Sequence, residues 1–545
     1  MRPAVELGDA LRFMPGVEVA RLGGPGQQTS LFLRGTESNH VLVLMDGLRI
    51  NPGTIGTAAI QNIAPEFVER VEVVKGPRST LYGSDAIGGV VNVITRGPED
   101  SGSAQAGFGS FDTKSAGFSA GFGGERAGGS VSASWLESDG FPTSTDDSVQ
   151  DIDSGYQNSS FTASGHAGAG PVKLGLRAWY AAGTTDYFDF FLAPISQDFE
   201  NSALALTGEF TPTDAWSSRL MLGHAVDDLE QNQSDDFLDT KRNTLDWQND
   251  FKVAAGNTLT AGLLWQDEEA DALSFGLPYA ADTTTTQVYL QDQAAIGVAR
   301  LLGGVAYTDH ETFGEHLTWN LELGFAIGEG GLLTASAGTA FRAPDATDLY
   351  GFGGNPDLDP EESKSYELSF RRALGERQSI TLAAFRNMIE DLIEFVVLDP
   401  NTFEGENRNV ARARIDGLEA AWQYDTGLWS ARIAGTWQDP QNSSTDERLL
   451  RRARENYTAA VARRFGGHEV GFDVLYAGER RDFGFPTQTV LPAYWLANLS
   501  AKFTLAERFT LLVRAENLFD EDYELASGYN SMGQSFFGAL RYEFR

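Results

Sequence analysis

The sequence predicts an all-β membrane protein: an antiparallel transmembrane β-barrel of about 22 strands, with a small mixed α/β plug domain in its lumen. Three observations predict it. From Gly102 to the end, segments of roughly ten residues alternate apolar and polar between turn residues or long polar loops. No window approaches the roughly 18 consecutive apolar residues of a membrane helix. The first 97 residues follow a different, compact and glycine-punctuated pattern.

In that first segment Leu7, Leu11 and Met14 recur at i, i+4 and i+7, and Pro15-Gly16 ends the short helix they predict. "VLVLMDGLRI" reads as two short strands around Asp46-Gly47, a type I′ hairpin pair. "IAPEFVERVEVVKG" reads as a helical turn running into a strand. "GPRSTLYGSDAIGGVVNVIT", Gly76 to Thr95, raises the question of phosphate binding. A P-loop needs G-x-x-x-x-G-K-[ST] followed by a helix. Here Gly83 and Gly88 have the spacing, but Gly89-Val90 replace Lys-Ser and a strand follows. The glycines are instead expected to permit close backbone packing. This segment is assigned as a plug, residues 1–97, and the remainder, 98–545, as the barrel.

In the barrel segment Val131, Ala133 and Trp135 oppose Ser130, Ser132 and Ser134, and Leu174, Leu176, Ala178 and Tyr180 oppose Lys173, Gly175, Arg177 and Trp179. Trp495, Ala497, Leu499, Ala501 and Phe503 share another face. The last strand alternates Leu540, Tyr542 and Phe544 against Arg541, Glu543 and Arg545. Lipid satisfies no free backbone group, so such strands must close into a barrel. A soluble sandwich or propeller fits less well, because no blade-length repeat recurs. At about 20 residues per strand and loop the segment yields about 22 strands, a size whose lumen is plugged.

The net charge is −35, which excludes nucleic acid as a partner by repulsion. The first 100 residues hold 9 basic against 11 acidic residues, so nearly all the excess acid lies in the barrel. No cysteine is present, which removes disulfides, zinc-thiolate sites and thiol nucleophiles. No G-x-S-x-G elbow appears. The six histidines are scattered; His310 and His316 match no metal-ligand spacing and are expected in loops. The chain is therefore not expected to be an enzyme.

"SLFLRGTESNHVLVLMDGLRIN", "VERVEVVKGPRSTLYGSDAIGGVVNVIT", "GNPDLDPEESKSYELSF", "ARIDGLEA" and "ENLFDEDYE" resemble, in order and spacing, the plug and barrel motifs of TonB-dependent outer-membrane receptors. Within that family "LYGFGGNPDLDPEESKS", "FRNMIEDLIEF" and "LLRRARENY" are most similar to the cobalamin receptors. The resemblance implies a monomeric barrel in the bacterial outer membrane, amid lipopolysaccharide, that imports a scarce ligand with energy from the TonB complex. It also implies a leader, a TonB box and an initial plug segment ahead of Leu7. This chain starts inside the plug, and truncation of its start is the expected reason. Such barrels usually end on an aromatic residue, whereas here Arg545 follows Phe544.

The resemblance further implies ion pairs between the plug cations Arg34 and Arg78 and the barrel-wall carboxylates Glu367 and Glu419. Two aspartate-rich loops, with Asp186, Asp189 and Asp198 in one and Asp235, Asp236 and Asp239 in the other, offer oxygens for Ca2+. Cobalamin receptors use calcium to order the corresponding loops, although the second loop is shorter here. For ligand contact the plug apex "NPGTIG" comes first, through Asn51, Pro52, Gly53, Thr54 and Ile55, whose small residues would let a bulky ligand meet the backbone. The aromatic group Tyr187, Phe188, Phe190 and Phe191 comes second, as cover for an apolar ligand face. The leading function is TonB-dependent uptake of cobalamin or a related corrinoid. The alternative is a receptor for a ferric siderophore or other metal chelate, disfavoured by the acidic loops; a passive porin or an adhesin is remote.

Overall fold

Five consecutive apolar residues, Val41–Met45, can be a strand only if both faces are buried, and all five are. This strand is the centre of the plug. The computed structural model describes residues 6–399, 404–484 and 488–544; Arg545 lies outside them. The plug opens with helix α1 (Leu7–Leu11) and a hairpin of β1 (Val17–Arg21) and β2 (Thr29–Leu33). Next come β3 (Val41–Met45), β4 (Leu48–Arg49) and β5 (Val68–Lys75), then the four-residue helix α2 (Ser79–Tyr82) and β6 (Gly89–Thr95). They form a sheet of order β4-β3-β6-β5, in which β3 and β6 run parallel with Val41 opposite Gly89.

The expected hairpin at Asp46-Gly47 is present, with Asp46 at φ 51° as a type I′ turn requires. The glycine run after Gly76 serves packing. Gly89 has φ 144°, and a Cβ there would collide with the Val74 carbonyl. α1 is shorter than the apolar spacing suggested, because Arg12 closes it by bonding back to Gly8.

The barrel begins at Ser101 and closes when the last strand, Ser535–Phe544, pairs with the first, Ser101–Gly109. Twenty-two long antiparallel strands form the wall, and the two-residue strand Glu447–Arg448 is attached beside one of them. Connections at one end are short, as at Gly170-Pro171 and Gly297-Val298, whereas at the other residues 343–360 and 517–534 form long loops. By the usual asymmetry the short turns face the periplasm and the long loops the outside.

The alternation has the expected physical meaning. On the strand Gly314–Ile327, Leu317, Trp319, Leu321, Leu323 and Phe325 are exposed outward while Thr318 and Asn320 are buried against the plug. Aromatic residues stack at both rims. Phe210, Trp216 and Phe251 mark the periplasmic level, and Tyr457, Tyr476 and Trp495 the outer one. The longest strands, Gln378–Asp399 and Glu404–Asp425, have 22 residues, or about 70 Å at the usual rise, so they stand well above the membrane. His310 and His316, expected in loops, instead lie on wall strands, where His316 stacks on Phe341 at 4.2 Å. Placing a charge at the mid-wall lipid face, as in Leu321→Arg, is expected to destabilise refolding into vesicles by about 2–4 kcal/mol. Denaturant titration of the refolded barrel checks this.

Candidate functional site

The plug apex is the first surface a ligand from outside would meet, and here it is roofed. Loop 343–360 carries helix α3 (Ala346–Tyr350), capped by the Asp345 carboxylate. The Ala346 N–H donates to the Gly53 carbonyl at 3.0 Å and the Thr347 N–H to the Thr54 carbonyl at 2.9 Å. Thr347 also meets the Tyr279 hydroxyl at 2.9 Å. The base of this loop is held by Arg342, which bonds Asp345 (2.7 Å), Asp348 and Glu361 (2.9 Å). His40 of the plug reaches the same Glu361 at 2.9 Å, so a buried chain of charges joins plug, wall and outer loop. Burial, reinforced by Asp348 and opposed by Arg342, pushes the Asp345 carboxyl well above its usual range.

This packing corrects the apex expectation. Asn51 is fully buried and serves the fold: its side chain accepts from the Val43 N–H and donates to the carbonyls of Val41 and Gly56. Thr54 is also fully buried, its N–H donating to Thr240. Ile55 is half-buried. Only Pro52 and Gly53 of the five line open space, a chamber of about 250 Å³ under α3. A Cβ at Gly53 would meet the Glu268 carboxylate and displace it. The wall and α3 press on these small residues.

The aromatic group is divided. Phe188 is buried, and the Tyr187 hydroxyl accepts from Gln231 at 3.0 Å. Phe190 and Phe191, 74% and 85% exposed, meet edge to face at a hairpin tip. None of the four lines the outer chamber. Its rim instead carries Tyr350 and Phe313, and three rings, from the turn at Phe275, the loop of α3 and the upper part of the strand Gln378–Asp399, form a strip beside α3. Phe275 and Phe352 have centroids 5.9 Å apart, and Phe352 and Phe395 6.1 Å. Sequence reading misses this strip because its members lie far apart along the chain.

The six aspartates are not gathered. Asp186 accepts from the Gly155 N–H, and Asp189 caps its own turn by accepting from Phe191 and Ala193. Asp198 bonds Thr184, Asp236 accepts from Phe275 and Gly276, and Asp239 pairs with Lys241. Asp235 is exposed in its loop. Among the described residues no group of three or more His, Asp or Glu side chains could hold a metal ion. The donor set does not fit calcium in this arrangement, because these carboxylates bond separate turns and strands and do not converge on one point.

Arg34, at the end of β2, reaches Glu367 at 2.5 Å and Glu419 at 3.0 Å, with its guanidinium 4.4 Å from the centre of the Phe385 ring. Arg78 departs from expectation. It stands 3.9 Å from Glu322 and touches neither Glu367 nor Glu419. Lys75 takes that place, 2.9 Å from Glu419, because β5 delivers it to the same point of the wall. Burial pushes the Lys75 ammonium below its ordinary value against the pull of Glu419. Arg34→Ala leaves Glu367 without its partner and Glu419 with Lys75 alone, and is expected to reduce plug stability by about 3 kcal/mol. Hydrogen exchange of plug amides, with barrel amides as internal reference, measures this; unchanged protection would contradict it.

Comparison with known proteins agrees with this architecture. Residues 1–90 match the family model described as the TonB-dependent receptor plug domain, and residues 99–518 that of the TonB-dependent receptor-like β-barrel. The chain is 33% identical over 559 residues to the vitamin B12 transporter BtuB of Vibrio vulnificus, covering 98% of this chain and 89% of that protein. It is 31% identical over 562 residues to the vitamin B12 transporter BtuB of Photobacterium profundum, covering 99% and 90%. Among solved structures, the FrpB iron transporter of Neisseria meningitidis superposes with a TM-score of 0.85 at 16% identity, over 99% of this chain and 97% of that one. The siderophore receptor PirA of Acinetobacter baumannii gives 0.83 at 18% identity, over 99% and 96%. At such identities the superpositions establish the fold alone. A closed 22-stranded wall around an N-terminal plug, matched over nearly its whole length, places this chain in the TonB-dependent receptor family of the bacterial outer membrane.

Proposed function

We propose that this receptor imports cobalamin or a related corrinoid, using energy delivered to the plug by the TonB complex. The observation that carries the reading is the near full-length identity, about a third, to two proteins named vitamin B12 transporters. The chemistry of the mouth supports it. The outer chamber is nearly balanced, with Arg49, Arg242 and Arg342 against Asp85, Glu268, Asp282 and Asp345, whereas the whole chain carries −35, which disfavours the approach of anionic ferric chelates and tolerates a neutral or cationic corrinoid.

The chamber under α3, at about 250 Å³, falls below the roughly 300–1,000 Å³ of ordinary small-molecule pockets. A corrinoid therefore docks above α3, on the strip of Phe275, Phe352 and Phe395, or displaces the helix from the apex. Planar apolar ligand faces suit such rings. Because the aspartates do not converge, binding is proposed to be independent of calcium.

Titration of the detergent-extracted protein with cyanocobalamin, with calcium and then with excess chelator, tests both statements. Saturable binding that is indifferent to chelator is expected. Binding lost on chelation would reinstate a calcium site in the aspartate loops. No binding in either condition would overturn the corrinoid reading and make ferric chelates the ligands to test. Phe352→Ala is expected to weaken binding by about 1–2 kcal/mol, roughly the worth of one aromatic contact with its buried area.

A further inference from the structure

The plug is not held equally all round. Its ion pairs to the wall join Arg34 and Lys75 to Glu367 and Glu419, His40 to Glu361, Glu37 to Arg452, and Arg78 to Glu322. All these wall partners lie between residues 322 and 452. Among the described residues, no ion pair joins the plug to the strands between Val172 and His310. On that flank the ion pairs lie within each body, and the one guanidinium among the described residues that bonds across the seam, Arg177, donates to the neutral carbonyls of Thr95 and Arg96. Arg49 pairs with Asp85 inside the plug, and Arg242 with Glu268 inside the wall. The seam between the two bodies can part there without separating an ion pair; what must part is the apolar packing of Leu48 and its plug neighbours against Trp179, Phe199 and Met221, which leaves no charge exposed.

Space follows the same flank. Below the outer chamber lies a second one of about 510 Å³, bounded by Tyr82 and Asp46 of the plug and by Thr207, Arg219, Asp246 and Tyr289 of the wall. It extends to Pro98, Lys173 and Glu209 at the periplasmic ends of the strands. Arg49 and Gln266 line both chambers. The wall register fixes where one ends and the other begins. Thr244, Gln266 and Thr285 stand opposite one another on three adjacent strands. One lumen-facing position above Thr244 is Arg242, in the outer chamber, and one below is Asp246, in the inner. Only a single layer of side chains therefore separates the two chambers here. Just below it, Gln287 holds α2 to the wall by donating to the carbonyls of Ser79 and Thr80 at 3.2 and 3.0 Å.

We propose that this flank is the route by which ligand passes the plug, and that Arg49 with Asp85, seated against Gln266 and the Arg242–Glu268 pair, is the closure it passes. The inference rests on the protein being an importer, not on the identity of the ligand. Displacing β4 and the Asp85 turn from the wall joins the two chambers, while the ion pairs at residues 322–452 keep the plug attached. The closure separates neutral pairs, so its opening exposes no uncompensated charge.

The chain has no cysteine, so an introduced one is the sole thiol. The full chain is reconstituted in planar bilayers as Arg49→Ala with Asp85→Asn, with and without Thr207→Cys in the inner chamber. Wild type is expected to be silent and the double variant to conduct. A charged methanethiosulfonate is expected to abolish that current only when Cys replaces Thr207. No current above wild type in protein that still migrates as a folded, SDS-resistant barrel would overturn the closure. Current that survives modification would place the route elsewhere. An equal, Thr207-dependent current in Arg34→Ala would mean that general loosening, not this closure, opens the flank. If the double variant does not fold, Gln266→Ala removes the wall side of the same layer and leaves every charge in place. The same conductance and block are expected from it, and their absence overturns the proposal. None of these readings involves a ligand, so they stand apart from the corrinoid assignment.

Discussion

A strand in lipid cannot leave its backbone unpaired, and the whole molecule follows from that constraint. Closure occurs where Phe537 stands opposite Gly109, bringing a residue near the chain's end beside one near the barrel's beginning. With 22 strands, the circle that satisfies every backbone group encloses a lumen too wide for wall side chains to fill. The plug fills it, and the wall's inward face becomes an interior interface. Threonine, asparagine and glutamine dominate where a soluble core would be apolar, as at Thr240, Thr308, Gln287 and Asn320. The plug's apolar core around β3 and β6 continues into the wall at Tyr156, Trp179, Phe199, Ala203 and Met221, and Ile87 joins a second such cluster with Ile389 and Leu392; elsewhere the sleeve around the plug is mainly polar.

That arrangement determines how strongly the two bodies adhere. Apolar burial joins them in patches, at Trp179, Phe199 and Met221 and around Ile87, and its strength grows with the area covered. Hydrogen bonds and ion pairs in a partly wet lumen depend on geometry, and water can take their place. The buried chain from His40 through Glu361 and Arg342 to Asp345 is a different case. It ties plug, wall and α3 together away from solvent, so displacing α3 disturbs groups that contact the plug directly. The outer loop and the plug are thus mechanically joined at the apex, the level at which a ligand arrives.

Legibility from sequence follows the range of the interactions concerned. Alternation is a property of neighbouring residues, so Leu317 to Phe325 or Leu174 to Tyr180 announce a lipid-facing strand without knowledge of the partner strand. The Asp46-Gly47 hairpin is equally local. Arg34 with Glu419 is accessible only through motif resemblance, since 385 residues separate them. Lys75 as the second partner of Glu419 is not legible, because nothing near it in the chain says where β5 meets the wall. The aspartates mislead for a related reason. A carboxylate that caps a turn and one that binds a cation occupy the same kind of loop, and only the N–H groups facing Asp189 and Asp236 distinguish them. The apex misleads through size. Glu268 and α3 press against Gly53, and a sequence records the small residue without recording what crowds it.

The asymmetry of the plug's attachments connects these points. A body that must yield without leaving needs one side that holds and one that gives. Long, mutually satisfied cationic and anionic side chains across the seam at Glu361, Glu367 and Glu419 can hold through modest displacements, because side chains of that length follow the backbone. Across the other flank the polar contacts are hydrogen bonds to backbone carbonyls and hydroxyls, such as Thr240 with Thr54 and Gln287 with α2, which break over a fraction of an ångström, beside an apolar patch that includes Leu48, Trp179, Phe199 and Met221. A pull from the periplasmic side therefore concentrates its strain where the bonds are shortest in reach. Side-chain length and charge partition, together with the apolar area that must part, set the line along which the structure yields first.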